Sequence, residues 1–185
     1  HLLGISYGGE VAQRFALKYQ DRLLSLILSN TTSYTNMMLK DIGESWIYAA
    51  KTYDGRVFFK STMPFIYSAD FYEENIDWLM EREKAFSISL KPDWYEGFIR
   101  LVRSAEDLNI RDEIHKIEVP TLIIGAEHDA TTPLKYQEEI QRRIPNSKLV
   151  VVKGSGHALM YEKPQEFITL VLGFVKSYNS QIKIL

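Results

Sequence analysis

The sequence predicts an α/β protein with a parallel sheet, and three observations carry that prediction. First, Leu23–Leu28 (L-L-S-L-I-L), Pro120–Gly125 (P-T-L-I-I-G) and Lys148–Val152 (K-L-V-V-V) are near-continuous apolar runs of strand length. A strand reads this way when both of its faces are covered, as in a parallel sheet. Second, residues at helical spacing separate these runs, and strand–helix alternation points to α/β architecture. Third, residues 35–109 contain no such run and mix aromatic with charged residues, so one helical block interrupts the alternation.

In chain order, residues 1–5 are a short apolar strand that stops before Gly8-Gly9. A helix is predicted over 10–19, with Val11, Phe15, Ala16 and Tyr19 on one face, and a strand over 23–28. Within the helical block, Met38, Ile42 and Trp46 share one helical face, and Trp94, Phe98, Leu101 and Val102 another. Pro92 stands where a helix can begin and Pro64 where one should break. A strand over 120–125 is followed by a helix over 133–144, a strand over 148–152, a loop carrying Gly154, Gly156 and His157, and an amphipathic helix over 164–178. There is no internal repeat or low-complexity stretch. The organisation is thus core over 1–34, helical insertion over 35–109 and core again over 110–185.

With 185 residues the chain has room for one core and a small insertion. Its formal net charge of −2 carries no electrostatic footprint of nucleic-acid or membrane-surface binding. It has no cysteine, which excludes disulfides, thiolate catalysis and cysteine-based zinc sites and fits a reducing cytoplasm. No run approaches the ~20 apolar residues of a membrane span. The sequence opens on His1, inside what reads as the end of a buried strand, so further strands are expected upstream.

Three short stretches carry chemistry. Gly4-Ile5-Ser6-Tyr7-Gly8-Gly9 is a G-x-S-x-G pattern between a strand end and a helix start. A serine at such a sharp turn projects its hydroxyl at the carboxyl end of the sheet, and glycines leave room for the tight crossing. The backbone N–H of Tyr7, at the helix N-terminus, is placed to donate to a developing oxyanion. Gly125-Ala126-Glu127-His128-Asp129 ends another buried strand, offering Asp129 or its neighbour Glu127 to orient a histidine. Gly154-Ser155-Gly156-His157 follows the next strand, and a histidine in a glycine-rich loop there can reach over the sheet edge. His1 is terminal, His115 sits in a charged segment and His128 adjoins the proposed acid.

The order Ser, Asp, His, each at a strand end, is that of α/β-hydrolases, and the sequence resembles that superfamily over nearly its whole length. G-I-S-Y-G-G followed by V-A-Q-R-F-A-L-K-Y-Q-D-R-L-L-S-L-I-L is similar to the nucleophile turn with its helix and strand. V-P-T-L-I-I-G-A-E-H-D-A-T-T-P resembles the acid-bearing strand and loop, and G-S-G-H-A-L-M-Y-E-K-P-Q-E-F the histidine loop and closing helix. The likeness is to the capped branch with carboxylesterases, enol-lactonases, C–C bond hydrolases and proline iminopeptidases, whose cap stands where residues 35–109 lie.

The resemblance implies the C-terminal part of an α/β-hydrolase parallel sheet with an inserted helical cap. It implies Ser6 as nucleophile, His157 as base, Asp129 as acid and the Tyr7 N–H as one oxyanion donor, with no metal or organic cofactor. The implied reaction is acyl transfer to water from a small or medium ester, lactone or related carbonyl compound. The absence of a phosphate loop or arginine cluster argues against phosphorylated substrates. Trp46, Trp78, Trp94, Phe58, Phe59, Phe65 and Phe71 give the cap aromatic surface, mostly core, with a minority lining a pocket.

The family's earlier strands and its second oxyanion loop do not occur in the sequence. Loss of one such donor costs ~10²–10³ in turnover. An incomplete sheet also presents an open edge that invites a homodimer or a complementing N-terminal segment. Two rival readings share the fold: an acyltransferase or lyase using the same triad, and a non-catalytic small-ligand-binding protein.

Overall fold

The computed structural model describes residues 1–178. Four parallel strands, β1 (Leu2–Ile5), β2 (Leu26–Ser29), β3 (Thr121–Ala126) and β4 (Ser147–Val152), lie side by side in sequence order. The predicted α/β class and parallel sheet are present. Helix α1 (Tyr7–Tyr19) connects β1 to β2. Between β2 and β3 stand α2 (Met37–Ala50), α3 (Gly55–Ile66), α4 (Ala69–Glu74), α5 (Ile76–Ser89) and α6 (Pro92–Ser104). Helix α7 (Lys135–Arg143) connects β3 to β4, and α8 (Leu159–Glu162) and α9 (Pro164–Ser177) follow.

Alternation along the central strands divides the core into two layers. Leu26, Leu28 and Ile123 point to one face and pack with Ala12 and Ala16 of α1 and Ile140 of α7. Ile27, Leu122 and Ile124 point to the other and meet Leu159 with Phe167, Leu170 and Phe174 of α9. β2 and β3 are buried along their full length, which explains their unbroken apolar sequence. The outer strands are less covered, and Leu3 of β1 is 39% exposed.

The helical block has its own apolar centres. One gathers Ile47, Phe58, Tyr95 and Ile99, and another Phe59, Tyr67 and Leu79. Its entry and exit are clamped together, since Thr35 N–H donates to Leu108 O and Ile110 N–H to Ser33 O. Phe58 and Phe59 are core as expected, whereas Trp78 and Trp94 keep 37% and 41% of their surface exposed.

Several local expectations need correction. α1 starts at Tyr7 rather than Glu10, because a positive φ of 52° at Ser6 completes the strand-to-helix reversal in one residue. β2 begins at Leu26; Leu23 follows a short 3-10 turn over Gln20–Arg22, and Leu24 is 60% exposed. A strand apolar on both faces has no period to mark its start. Pro64 lies inside α3, near its end, and the helix closes two residues later at Ile66. Met38 is 46% exposed, whereas Ile42 of the predicted face is buried on α2 and is joined there by Ile47. On α6 the buried positions are Tyr95 and Ile99, one residue on from the predicted Trp94 and Phe98. Pro92 does begin α6. Among the described residues no helix is long and apolar enough to cross a membrane.

Candidate active site

The site forms at the carboxyl ends of β1, β3 and β4. Ser6 follows β1 and holds φ 52° and ψ −122°, a strained conformation for a residue with a side chain. Its neighbours enforce the turn. A Cβ on Gly4 would lie 2.3 Å from Gly8 O, and one on Gly9 would meet the Thr31 side chain at 2.5 Å. Ser6 N–H donates to Ser29 O, and the Thr31 hydroxyl donates to Ser6 O at 2.7 Å, fixing both sides of the turn. The Tyr7 N–H that follows meets no acceptor among the described residues.

The loops after β3 and β4 bring Asp129 and His157 to Ser6. His157 Nδ1 lies 2.8 Å from Asp129 Oδ2, and His157 Nε2 lies 2.9 Å from Ser6 Oγ. The two loops also bond each other, with His128 N–H donating to Ser155 O at 2.8 Å. Asp129 is saturated. Its Oδ1 accepts from the N–H groups of Thr131 and Thr132, and its Oδ2 accepts from Asn30 Nδ2 and the Thr132 hydroxyl. Burial alone would push this carboxyl up, but the His157 charge and these hydrogen bonds outweigh it and hold it below the usual range. Glu127 instead accepts from Gly154 N–H at 2.9 Å and lies beside His128. His1 bonds Ser25 and His128 is half exposed. Among the described residues no group of three His, Cys, Asp or Glu side chains forms a metal site.

A cleft of about 600 Å³, counting its open mouth, runs from Ser6 and Tyr7 between α1, α2 and α6. Leu39, Trp46, Leu101 and Val102 give it apolar walls, and Glu10, Lys40, Thr131 and Thr132 are its polar edges.

A family profile described as the alpha/beta hydrolase fold matches residues 1–164. The chain belongs to the α/β hydrolase family. A proline iminopeptidase from Saccharolobus solfataricus is 27% identical over 97% of this chain and 63% of its own length. MGS-M2, an α/β hydrolase enzyme from a Medee basin deep-sea metagenome library, superposes with a TM-score of 0.89 at 37% identity, over 98% of this chain and 66% of its own. A thermophilic esterase gives a TM-score of 0.70 at 27% identity, over 96% and 66%. The chain therefore spans between 63% and 66% of the length of these relatives.

This α/β hydrolase chain also uses residues that sequence reasoning missed. Asn30, with φ 46°, caps β2 and turns its amide onto Asp129. Its place directly after an apolar strand is a usable signal, because asparagine tolerates the left-handed region. Glu162 ties three elements together. It accepts from Gly156 N–H at 3.0 Å, beside His157, and from the N–H and hydroxyl of Ser68 at the start of α4, at 3.1 and 2.5 Å. The helical block is held at two further points, where Thr131 Oγ1 donates to Phe65 O and Ala158 N–H to Ile66 O. Glu162→Ala would strand three donors at once. The expected loss is ~3 kcal/mol of unfolding free energy, read by urea denaturation, with Glu162→Gln recovering part of it. Equal stability of Glu162→Ala and the unmodified chain would show that solvent replaces the carboxylate freely.

Proposed function

We propose that the protein is a serine hydrolase acting through an acyl-enzyme on a small or medium ester, lactone or related carbonyl compound. The alignment of Ser6 Oγ, His157 and Asp129 at 2.9 and 2.8 Å is the observation that carries this reading. With its proton on Nδ1 and bonded to Asp129, His157 presents the Nε2 lone pair to Ser6. Nε2 takes the Ser6 proton as Oγ bonds to the substrate carbonyl carbon, and the carbonyl oxygen gains the negative charge. The Tyr7 N–H donates to that oxygen. The intermediate collapses, the carbon–leaving-group bond breaks, and the leaving group takes the proton from Nε2. Water then repeats the sequence on the acyl-serine and releases the acid and Ser6.

The apolar cleft beside Ser6 supports an ester or lactone as substrate. The helices over 35–109 act as a cap that supplies one wall of that cleft. A cysteine-free chain suits the cytoplasm as its compartment. The test is labelling of the full-length natural protein with a fluorophosphonate, alongside Ser6→Ala. Labelling lost only in Ser6→Ala is the expected result. Equal labelling of both forms, or of neither, would remove the hydrolase reading and leave ligand binding as the alternative. Turnover of a prolyl arylamide but no ester would keep the mechanism and replace the substrate class.

A further inference from the structure

Glu10 stands out among the groups that the mechanism leaves unused. It lies one helical turn after Ser6 on α1, where its N–H donates to Ser6 O at 3.3 Å. The residue is 8% exposed and lines both the Ser6 cleft and an adjoining cavity that reaches Arg14 and Ser104. Its carboxyl makes no hydrogen bond and no ion pair within 4.0 Å to any described residue. A carboxyl that has no protein partner and opens onto a substrate cleft is free to bond a ligand there.

We propose that Glu10 is a specificity-determining residue that donates a hydrogen bond to an acceptor oxygen (ether, hydroxyl or carbonyl) carried by the substrate a few atoms from its reacting carbonyl. The distance follows from the helix, since one turn rises ~5.4 Å. The choice of an oxygen acceptor rather than an ammonium follows from charge. Burial raises the Glu10 carboxyl to about 8, with Arg14 opposing in part, so at neutral pH it carries its proton and is a donor. The groups facing this space are Tyr7 and Arg14 on α1, Lys40 on α2 and Glu106 just beyond α6. Arg14 and Lys40 disfavour a cation there. Leu39, Leu101 and Val102 take up the hydrocarbon on either side of the oxygen. The inference rests on the hydrolase reading for its substrate class but not for its test.

The test uses three p-nitrophenyl esters: pentanoate, its isostere 3-methoxypropanoate with one methylene replaced by oxygen, and the β-alanyl ester with an ammonium. Rates of the full-length natural protein are divided by each ester's rate with hydroxide. The expected methoxypropanoate-to-pentanoate ratio of kcat/KM is about tenfold above unity, kept in Glu10→Gln and lost in Glu10→Met. In the unmodified protein the ratio should fall as pH rises through about 8, but stay level in Glu10→Gln. The same ratio is read as Kd by calorimetry in Ser6→Ala and Ser6→Ala/Glu10→Met, where no turnover is needed. Preference in binding without turnover would sink the hydrolase reading and leave Glu10's role standing. Turnover with a ratio near unity, or a Glu10-dependent preference for the β-alanyl ester, would overturn the proposal. Should Glu10→Met fail to fold, the pH dependence of the unmodified protein against Glu10→Gln decides the matter alone.

Discussion

Asp129→Asn is expected to lower kcat by ~10³–10⁴-fold while leaving the fold in place. The reason lies in what surrounds the carboxylate. Both oxygens are acceptors only, with two backbone N–H groups on Oδ1 and the Asn30 amide, the Thr132 hydroxyl and His157 on Oδ2. An asparagine must point its NH₂ at one of these clusters of donors. If it keeps its oxygen on the Thr131 and Thr132 N–H groups, the NH₂ faces His157 Nδ1, which must then accept. The proton moves to Nε2, and the histidine offers Ser6 a donor where a base is needed. Steady-state kinetics on an activated ester, with near-UV circular dichroism to check packing, would measure the effect. A loss below tenfold would mean that Asp129 does not set the tautomer of His157.

The second large effect is on stability and comes from Glu10. Burial raises its carboxyl from 4.5 to about 8, only partly opposed by Arg14. The unfolded chain therefore releases this proton near 4.5, whereas the folded chain holds it until about 8. Between those values the native state binds more protons, so stability falls as pH rises and levels off above about 8. The full span is on the order of 5 kcal/mol. Glu10→Gln has no proton to lose. Urea midpoints at about pH 5 and about pH 9 should therefore differ far more for the unmodified chain than for Glu10→Gln, which is the more stable at the higher pH. Parallel pH profiles would mean that Glu10 ionises in the folded protein as it does in water.

The candidate triad was legible because strand ends in an α/β sheet are where function collects, and Ser6, Asp129 and His157 each follow an apolar run within four residues of a glycine (Gly4, Gly125 and Gly156). β3 was read almost to the residue for the same reason. Residues whose role comes from distant contacts were not legible. Asn30 matters through Asp129, 99 positions away, and Glu162 through Ser68, 94 positions away. Neither spacing leaves a local pattern. Glu10 is in sequence a first-turn acid of a helix, and only the placement of α2 and α6 across the cleft from α1 makes it a cleft residue. The helix faces of the block were misread by a residue or so, because these helices bury aromatics against one another rather than against one common surface.

The 151 positions between Ser6 and His157 also set when the chemistry can begin. On the ribosome, at ~5–20 residues per second, the serine precedes its base by roughly 10–30 s. Throughout that interval it is an ordinary hydroxyl, since the histidine has not been made, even after the carboxylate that orients it has. The parallel sheet grows in the same order, β1 to β4, so the last strand laid down is the one that delivers the base. On the proposed mechanism, a nascent chain holds no base for Ser6 until β4 and the loop after it have been made.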